Sequence, residues 1–362
     1  MSRIVAAMSG GVDSSVAAAL LAREASSDDE VIGVWMRTHA DLPEGYELSR
    51  SCCSPDAADD ARRVAQILGI PFFVLNVERE FGARVIDAFV DAYLDGATPN
   101  PCQACNQYIK FDELLRRGLA AYGADAVATG HYARIEHREG RWRLLRAADA
   151  ARDQTYFLWV LDQEQLSRTR FPLGALTKPE VRTMAAALTL PTAQKPESQE
   201  ICFVPLGDYR TLLEERRGYA GDPGPIVDAD GTEIGTHTGY AHYTVGQRHG
   251  LGVALGEAVY VREVRPASNT VVIGRRDEVA QRTFRVDGAR FTGGEPPLER
   301  FDASVRIRHR AQDVPAEVTM VGNDRFVVET AQPVWAPAPG QAAVLYDGDE
   351  CLGGGRIARA EG

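Results

Sequence analysis

The stretch SGGVDSS, Ser9–Ser15, lies between an apolar, strand-like run, Ile4–Met8, and a helical pattern, Ser14–Glu24. Adjacent glycines let a backbone approach phosphate closely, and the helix N-terminus that follows offers N–H groups and the positive end of its dipole. The stretch has neither the Walker lysine nor the glycine spacing of the dinucleotide-binding fingerprint. A tight turn in which Ser or Asp caps the helix is the alternative. The position directly after the first strand favours phosphate binding.

Strand-like and helical patterns alternate through the first 130 residues. Four apolar runs are typical of buried parallel strands: Ile4–Met8, Val31–Met36, Phe72–Val77 and Ala126–Thr129. Four stretches have helical apolar spacing: Ser14–Glu24, Asp56–Leu68, Phe81–Leu94 and Phe111–Ala121. The pattern predicts an α/β fold with an open, doubly wound, Rossmann-like parallel sheet. Ligands of such sheets bind beyond the carboxyl ends of the strands.

The composition of the chain changes after about residue 205, where glycine, proline and turn signals become frequent. Before that point a further helix is predicted over Lys178–Leu190, with Thr177 as its cap and Glu180 three residues after the cap. Beyond it, short alternating runs such as Ala342–Tyr346 are typical of β-strands. We expect three domains: an α/β domain over 1–205, a small α+β linker domain over 206–282, and a C-terminal β-barrel over 283–362.

Charge and composition exclude several classes of protein. The 362 residues carry 40 Lys and Arg against 51 Asp and Glu, a net charge of −11, which excludes attachment to nucleic acid by bulk charge but not by a local basic face. No apolar run approaches the ~18 residues of a membrane span. The N-terminus lacks a signal-peptide pattern, so we expect a cytoplasmic protein without membrane contact. Only three basic residues are lysines, Lys110, Lys178 and Lys195; base composition explains the bias, but a retained lysine hints at a site needing a compact ammonium.

Six cysteines are too few for a disulfide scaffold in so long a chain. Cys102 and Cys105 form a CxxC pair in the stretch NPCQACN, 100–106, where two prolines predict an exposed, non-helical segment. The pair is compatible with redox chemistry, half of a zinc site, one nucleophilic thiolate or two structural thiols. Since the chain has no second CxxC, a four-cysteine zinc site cannot be built from such pairs, and we expect no metal site. Cys202 alone would be interpreted as a small buried residue.

Considered together, the motifs resemble those of one family. The further blocks are ATGHY at 128–132, DQTYFL at 153–158, FPLG at 171–174, SQEICF at 198–203 and TVGQR at 244–248. With the two stretches above, they resemble the bacterial tRNA-specific 2-thiouridylases of the ATP-pyrophosphatase (PP-loop) superfamily, in the same order over essentially the whole chain. The resemblance implies ATP-dependent 2-thiolation of the wobble uridine, position 34 of tRNA. The C2 oxygen is adenylated with release of pyrophosphate, and a cysteine persulfide then supplies sulfur, which gives 2-thiouridine and AMP.

The resemblance also implies roles for individual residues. Cys105 corresponds to the attacking nucleophile, Cys202 to the carrier of the persulfide, and Asp13 to a catalytic residue of the loop. The implied ATP-binding residues are Ala7, Met8, Ser9, Gly10, Gly11, Val12, Asp13, Ser14, Met36 and Gly130. The implied tRNA-binding residues are Asn100, Pro101, Cys102, His131, Arg152, Asp153, Gln154, Arg308, His309 and Gln341.

The chain departs from the family pattern at a few positions. Some family members carry Asp where Cys102 stands, so the attacking thiol corresponds to Cys105. Arg152 replaces the usual Lys, and Thr189 stands where a Gly commonly ends a helix. Of the remaining cysteines, Cys52 and Cys53 are expected to be structural, and Cys351 receives no role.

The implied cofactor is ATP with Mg²⁺, and the implied partners are tRNA and a sulfur-relay protein that donates the persulfide. A 4Fe–4S cluster on Cys102, Cys105 and Cys202 is the alternative for the thiols. An amide-forming ligase and a non-catalytic nucleotide-binding module are rival functions for the loop. We expect Lys110 or Lys195 to lower the pKa of the reactive thiols. The basic cluster Arg306–Arg310 is expected to contact tRNA phosphates, with a solvated face as the alternative.

Overall fold

The structure is a computed structural model, and it describes residues 2–38, 55–196, 201–204, 208–253 and 255–360. Cys52, Cys53 and residues 198–200 of the SQEICF block lie outside the described residues. The expected α/β fold with a parallel sheet, a linker domain and a C-terminal barrel is confirmed.

Five parallel strands form the sheet that carries the loop Ser9–Ser15, which is called the phosphate loop below after its predicted role. In chain order they are β1 (Arg3–Ala7), β2 (Glu30–Arg37), β3 (Phe72–Asn76), β4 (Ala126–Ala128) and β7 (Thr169–Arg170). Their order across the sheet is β3-β2-β1-β4-β7, so the chain moves outward in one direction from β1 and then crosses to its other side. This reversal creates a crevice at the carboxyl ends of β1 and β4, where open α/β sheets bind ligands.

Helices cover both faces of the parallel sheet. They are α1 (Val12–Glu24), α2 (Pro55–Leu68), α3 (Glu78–Phe81), α4 (Ala88–Leu94), α5 (Pro101–Ala104), α6 (Leu114–Tyr122), α7 (Thr155–Leu158), α8 (Gln163–Ser167) and α9 (Lys178–Ala187). A π-helical stretch, Gly82–Asp87, joins α3 to α4, and another, Cys105–Glu113, joins α5 to α6. Apolar residues of β1, α1 and α9 share one buried core, and those of β1, β2 and α6 share another.

The segment around the CxxC pair is helical, which corrects the prediction of a non-helical segment from Pro101 onward. Asn100 caps α5, because its Oδ1 accepts a hydrogen bond of 3.1 Å from the backbone N–H of Cys102. Pro101 takes the first helical position, where the missing N–H costs nothing and the fixed φ suits the helix. The proline therefore starts a helix here instead of preventing one.

Helix α9 follows its sequence signals at both ends. Thr177 and Glu180 form a capping box, with the Thr177 backbone N–H donating to Glu180 Oε2 at 2.7 Å. At the other end the Leu190 N–H donates to the Ala185 carbonyl, and the Thr189 N–H donates to the Ala186 carbonyl, both at 3.0 Å. This is a Schellman motif, which places Thr189 in the left-handed region, at φ 54°. A β-branched residue is strained there.

We expect Thr189→Gly to stabilise the protein by about 1 kcal/mol, because glycine adopts the left-handed conformation without steric cost. Thr183→Gly is the matched control, since the same substitution on the exposed middle of α9 lowers helix propensity and should destabilise by a few tenths of a kcal/mol. The midpoint of thermal unfolding measures both changes. A lower midpoint for the Thr189 variant would contradict the strain assigned to it.

The middle of the chain forms a four-stranded sheet of order β10-β11-β8-β9. Its strands are β8 (Gly224–Val227), β9 (Glu233–His237), β10 (Tyr260–Arg265) and β11 (Thr270–Gly274). The helix before it, α10 (Arg210–Arg217), buries Leu212 and Leu213 against the aromatic cluster of α4. Tyr209 stacks on Tyr93 with ring centroids 4.2 Å apart. The middle sheet is thus fastened to the helices that carry the cysteines.

The C-terminal strands close into a barrel. They are β12 (Ala280–Phe291), β13 (Arg300–Arg306), β14 (Val314–Met320), β15 (Arg325–Trp335), β16 (Ala342–Asp347) and β17 (Glu350–Ile357), preceded by the short helix α11 (Arg276–Val279). β12 pairs with both β15 and β17, which removes the free edges of the sheet. β12 begins at Ala280 and so spans the expected domain boundary at 282/283.

A hairpin from the first domain extends the barrel sheet. It consists of β5 (Arg134–Arg138) and β6 (Arg141–Leu145), and β6 pairs with β17 through Leu144 and Leu145. The pairing of β6 with β17 was not predicted from the sequence, because the two strands lie about 200 residues apart. The hairpin couples the barrel directly to the segment that follows β4. Across the described ranges, no helix has the length and apolarity needed to cross a membrane.

Candidate active site

The loop between β1 and α1 is shaped by its own hydroxyl groups. Ser14 Oγ accepts a hydrogen bond of 3.0 Å from the Ser9 backbone N–H and donates to the Gly11 carbonyl at 3.1 Å. Gly10 has φ +69°, and a Cβ there would lie 2.1 Å from the Ala57 carbonyl oxygen, so only glycine fits. Gly11 is the N-cap of α1, and within the described residues no side chain caps this helix. The capping alternative is therefore wrong, and the first-turn N–H groups are placed to meet an anion.

A buried lysine lies against the acidic residue of this loop. Lys178 Nζ is 2.7 and 2.8 Å from the two carboxylate oxygens of Asp13, although Lys178 is only 6% exposed. Tyr132 donates its hydroxyl to Asp13 Oδ1 at 2.9 Å. Burial, with Asp13 adding to it, raises the pKa of Tyr132, so this hydroxyl keeps its proton. Lys178 was not among the predicted site residues, and the scarcity of lysine in the chain was its only sequence signal.

The end of β4 closes the other side of the loop. A Cβ on Gly130 would lie 2.7 Å from the backbone C of Asp13 and N of Ser14, so only glycine allows this approach. The next residue, His131, is 8% exposed, and its ring forms a cluster of three mutually contacting rings with Phe111 and Phe171. Burial, and to a lesser degree the charge of Lys110, hold the pKa of His131 well below its usual value, so the ring is neutral.

The remaining residues predicted to bind ATP lie at the same edge of the sheet. Ala7 and Met8 end β1 and lead into the loop, and Met8 is buried. Met36 is half-buried near the carboxyl end of β2. It packs against the aromatic cluster of Phe81 and Phe89, and so connects the nucleotide side of the crevice to the region of the cysteines.

Cys105 and Cys202 border one hydrophobic cluster. Both are half-buried and pack against the group that contains Phe89 and Phe203, although they are 97 residues apart in the sequence, as their numbers show. Cys102 is exposed, one helical turn before Cys105. Cys105 and Cys202 thus share one environment, and Cys102 lies in another.

Two amide side chains fix the helix that carries Cys105. Gln103 donates from Nε2 to the Tyr156 carbonyl at 3.2 Å, and Asn106 donates from Nδ2 to the Phe157 carbonyl at 3.0 Å. Both amides are buried, where a polar group without its partner would cost about 1–3 kcal/mol. The CxxC helix and the DQTYFL block are therefore positioned as one unit.

The barrel holds the loop ahead of Cys102. The Thr98 backbone N–H donates to the Pro339 carbonyl at 2.7 Å, and Gln341 Nε2 donates to the Thr98 carbonyl at 3.0 Å. Arg359 donates to the Asp95 carbonyl. Gln341, which the resemblance places among tRNA contacts, here fixes the loop that leads to Asn100 and Pro101.

Asp153 is enclosed between the first domain and the barrel. It is 3% exposed, its Oδ2 lies 3.5 Å from both Arg146 Nη1 and Arg306 Nη1, and it accepts a hydrogen bond of 2.8 Å from Thr155 Oγ1. Arg306 also pairs with Asp313 at 2.7 Å. The structure therefore places Asp153 and Arg306 in an interdomain network, whereas the sequence suggested a tRNA contact for each.

Most of the predicted basic cluster is also used inside the protein. Arg308 donates from Nη2 to the Ala336 carbonyl at 3.1 Å, and the His309 ring lies 4.5 Å from that of Phe157, with Nε2 3.2 Å from the Asp153 carbonyl. Burial lowers the pKa of His309. Arg310 is exposed, as is Arg152. Gln154 accepts the Tyr132 backbone N–H at 2.9 Å.

We expect Asp153→Asn and Arg306→Met each to weaken tRNA binding and lower the unfolding midpoint, because each leaves the network of two arginines and two aspartates with an unbalanced charge. The double variant should cost less than the sum of the two single changes, since it removes both charges together. A double-mutant cycle on tRNA affinity measures the difference. Additive effects would contradict the network and favour separate contacts with tRNA.

Lys195 and Cys351 each have a structural environment of their own. Lys195 Nζ forms an ion pair of 2.7 Å with Asp60 of α2. Cys351 lies in β17, is fully buried, and has a pKa raised far above its usual value by burial. A thiol in such a site is inert. Of the two lysines expected to act on the thiols, the structure brings only Lys110 to a predicted site residue, His131.

Within the described ranges, no group of three or more His, Cys, Asp and Glu side chains is close enough to hold a metal ion. The 4Fe–4S cluster on Cys102, Cys105 and Cys202 stays an alternative prediction for the thiols.

A parallel sheet with a glycine-rich loop after β1, and with Gly130 after β4 packed against that loop, defines an α/β nucleotide-binding protein of the HUP class. Family models match the whole architecture: the tRNA methyl transferase HUP domain over residues 2–206, the tRNA methyl transferase PRC-barrel domain over 210–275, and the aminomethyltransferase beta-barrel domain over 281–357. The chain belongs to the family of tRNA-specific 2-thiouridylases.

The relatives that carry this assignment align from end to end. The chain is 50% identical to the tRNA-specific 2-thiouridylase MnmA of Chloroflexus aggregans over an alignment of 362 residues. This alignment covers 100% of this chain and 99% of that protein. It is 49% identical to the MnmA of Carboxydothermus hydrogenoformans, over 98% of this chain and 97% of that protein. Among solved structures, the U34-tRNA thiolase NcsA from Methanococcus maripaludis with its 4Fe–4S cluster matches 60% of this chain and 66% of its own, at 20% identity and a TM-score of 0.37.

Proposed function

We propose that this protein is an ATP-dependent sulfurtransferase that converts the wobble uridine of tRNA to 2-thiouridine in the cytoplasm. The relatives are named for 2-thiouridylation of tRNA. The observation that carries the proposal is the crevice itself. A phosphate loop lies at the carboxyl ends of the strands, and two thiols, Cys105 and Cys202, border one cluster that also contacts Met36 of the nucleotide side.

The first step activates a poor leaving group. The uridine O2 attacks the α-phosphorus of ATP, the bond to the β-phosphate oxygen breaks, and pyrophosphate leaves with the electron pair. The N-terminus of α1 and the loop amides hold the pyrophosphate portion, and Gly130 closes the site above them. Asp13, the carboxylate of the loop, would hold the Mg²⁺ that enters with ATP, and the ion would supply positive charge to the phosphates there.

The second step delivers sulfur through the thiols. We assign the persulfide, received from a sulfur-relay donor protein, to Cys202 and the attacking thiolate to Cys105. In one route the terminal sulfur attacks C2, AMP leaves, and Cys105 then attacks Cys202 Sγ, releasing the sulfur on the base with its electron pair. In the other, Cys105 attacks Cys202 Sγ first and frees hydrosulfide, which attacks C2. Both routes form a Cys105–Cys202 disulfide, which a thiol reductant must reduce before the next turnover.

Recognition of tRNA is assigned to local surfaces, because the net charge of −11 opposes binding by bulk charge. We assign Cys102, which is exposed beside the capped turn at Asn100, to the entrance for the flipped base. Arg152 and Arg310 are the exposed cations of the predicted set. The division of the chain at 205/206 and 282/283 stays a prediction.

We expect Arg310→Ala to weaken tRNA binding and to reduce the slope of log affinity against log salt by about one, because one phosphate contact is lost. Arg300→Ala, another exposed arginine of the barrel, is the matched control and should leave the slope unchanged. Equal slopes for the Arg310 variant and the wild type would return Arg310 to the solvated-face interpretation.

Mass analysis of the wobble nucleoside tests the proposed function directly. Purified protein is incubated with unmodified tRNA, ATP, Mg²⁺ and a persulfide donor, and the nucleosides are then released and weighed. Formation of 2-thiouridine with one AMP per modified base is expected. Consumption of ATP without 2-thiouridine would overturn the function in favour of another adenylating enzyme, and binding of ATP without release of pyrophosphate would leave a nucleotide-binding module.

A further inference from the structure

One buried hydroxyl group holds the acidic residue of the phosphate loop. Tyr132 is only 3% exposed, and its hydroxyl oxygen lies 2.9 Å from Asp13 Oδ1. An ionised carboxylate has acceptors and no donor, so the hydroxyl donates this hydrogen bond. The side chain of Asp13 is 31% exposed, whereas that of Lys178, its ion-pair partner, is 7% exposed. Asp13 is therefore the most accessible member of this group of three.

Tyr132 is itself fixed by the DQTYFL block. Its backbone N–H donates to Gln154 Oε1, and the Gln154 backbone N–H donates to the Tyr132 carbonyl, both at 2.9 Å. Tyr132 also packs in the core that β1, α1 and α9 share. Gly130, two residues earlier, lies against the backbone of Asp13. The segment that follows β4 thus holds Asp13 both at its backbone and at its carboxylate.

The two partners of the Asp13 carboxylate hold it in different ways. Lys178 Nζ lies 2.7 and 2.8 Å from the two oxygens, so it balances the charge and treats both oxygens alike. Tyr132 donates to one oxygen, Oδ1. The terminal torsion of an aspartate side chain is broad, so a donor on one oxygen restricts the rotation of the carboxylate. Tyr132 therefore sets the orientation of this group.

We propose that Tyr132 is a positioning residue for adenylation, whose hydroxyl keeps the Asp13 carboxylate in one orientation toward the nucleotide while the uridine O2 attacks. This inference rests on the proposed function. Phosphate attracts the ammonium of Lys178 more strongly than it attracts a neutral hydroxyl, so the hydroxyl remains on Asp13 when ATP binds. A group that is already held in place needs no reorganisation in the transition state. Tyr132 acts through Asp13 and touches no reacting atom.

A double-mutant cycle separates positioning from packing. Tyr132→Phe keeps the ring and removes the hydrogen bond. In a tRNA-dependent ATP–pyrophosphate exchange assay, it should lower kcat by about 10-fold, the effect of one hydrogen bond to a charged group, and leave KM for ATP close to wild type. In an Asp13→Ala background, assayed with more enzyme, the same substitution should have no further effect, because the carboxylate on which it acts is gone.

Tyr240→Phe is the matched control. It removes a tyrosine hydroxyl that donates to the Leu94 carbonyl at the end of α4, also at 2.9 Å. This variant should exchange as the wild type does. The unfolding midpoints of the two Phe variants should be similar, since each loses one hydrogen bond, which shows that the slower exchange of Tyr132→Phe does not come from unfolding.

The outcomes distinguish this inference from the function on which it rests. Wild-type exchange in Tyr132→Phe, or an equal loss with and without the Asp13 carboxylate, would overturn the role of Tyr132 alone. Absence of exchange in the wild-type protein would overturn the proposed function, and the role of Tyr132 with it.

Discussion

Cys105→Ser and Cys202→Ser should each abolish formation of 2-thiouridine, whereas Cys102→Asp should keep a measurable fraction of it. One of the first two thiols bears the sulfur and the other displaces it, and a hydroxyl can do neither. The structure supports this division, since Cys105 and Cys202 border the same cluster while Cys102 is exposed outside it. The measurement is the mass of the wobble nucleoside after incubation with tRNA, ATP and a persulfide donor.

The controls in this experiment address the alternatives for the thiols. Cys351→Ser should retain full activity, because this thiol is buried in the barrel and its pKa is raised far above its usual value. Metal-free protein under anaerobic conditions should be active and should afterwards contain a Cys105–Cys202 disulfide in mapped peptides. Activity that appears only after reconstitution with iron and sulfide would contradict the persulfide route and support the cluster.

The parallel sheet was predictable because each of its first four strands is a short apolar run between helical patterns. Local signals also placed α9, whose capping box and reversed turn are formed by neighbours in sequence. The place of the β5–β6 hairpin in the barrel sheet was not predictable. The strand that pairs with β6, β17, is distant in the sequence, and the hairpin is polar on one side. Local patterns cannot show which distant edge will pair.

The residues of the candidate site also fall into two groups, those that local sequence predicts and those whose partners are distant in the sequence. The loop Ser9–Ser15 carries its predicted chemistry in consecutive residues, and the structure shows that, among the described residues, no side chain caps the helix that follows at Gly11. Asp153 and Arg306 belong to motifs too, but their charges face each other across the domain interface. In the sequence, a charged residue of a motif looks the same whether it contacts solvent, tRNA or another domain. Only its burial in the structure distinguishes these possibilities. The same limit hid Lys178, whose partner lies 165 residues away.

The ion pair between Lys178 and Asp13 should be essential for adenylation. Lys178→Met and Asp13→Asn should each reduce tRNA-dependent ATP–pyrophosphate exchange by about 100-fold or more, because each removes a charge preorganised beside the phosphate loop. Binding of tRNA should remain close to wild type, since Lys178 is buried and its charge is directed at Asp13. Thr183→Ala, on the exposed side of α9, is the control and should change neither property.

The double variant of Lys178 and Asp13 distinguishes an ion pair that acts on the nucleotide from one that is only structural. If Lys178 and Asp13 only neutralise each other, removing both charges together should restore much of the exchange, since no buried charge is then left without a partner. We expect no recovery, because in the ATP complex the two groups act on different partners, the ammonium on phosphate oxygens and the carboxylate on Mg²⁺. Raising the Mg²⁺ concentration should then improve exchange in Asp13→Asn but not in Lys178→Met. Recovery in the double variant would reduce the pair to a structural contact and leave the binding of phosphate to the loop amides and the N-terminus of α1.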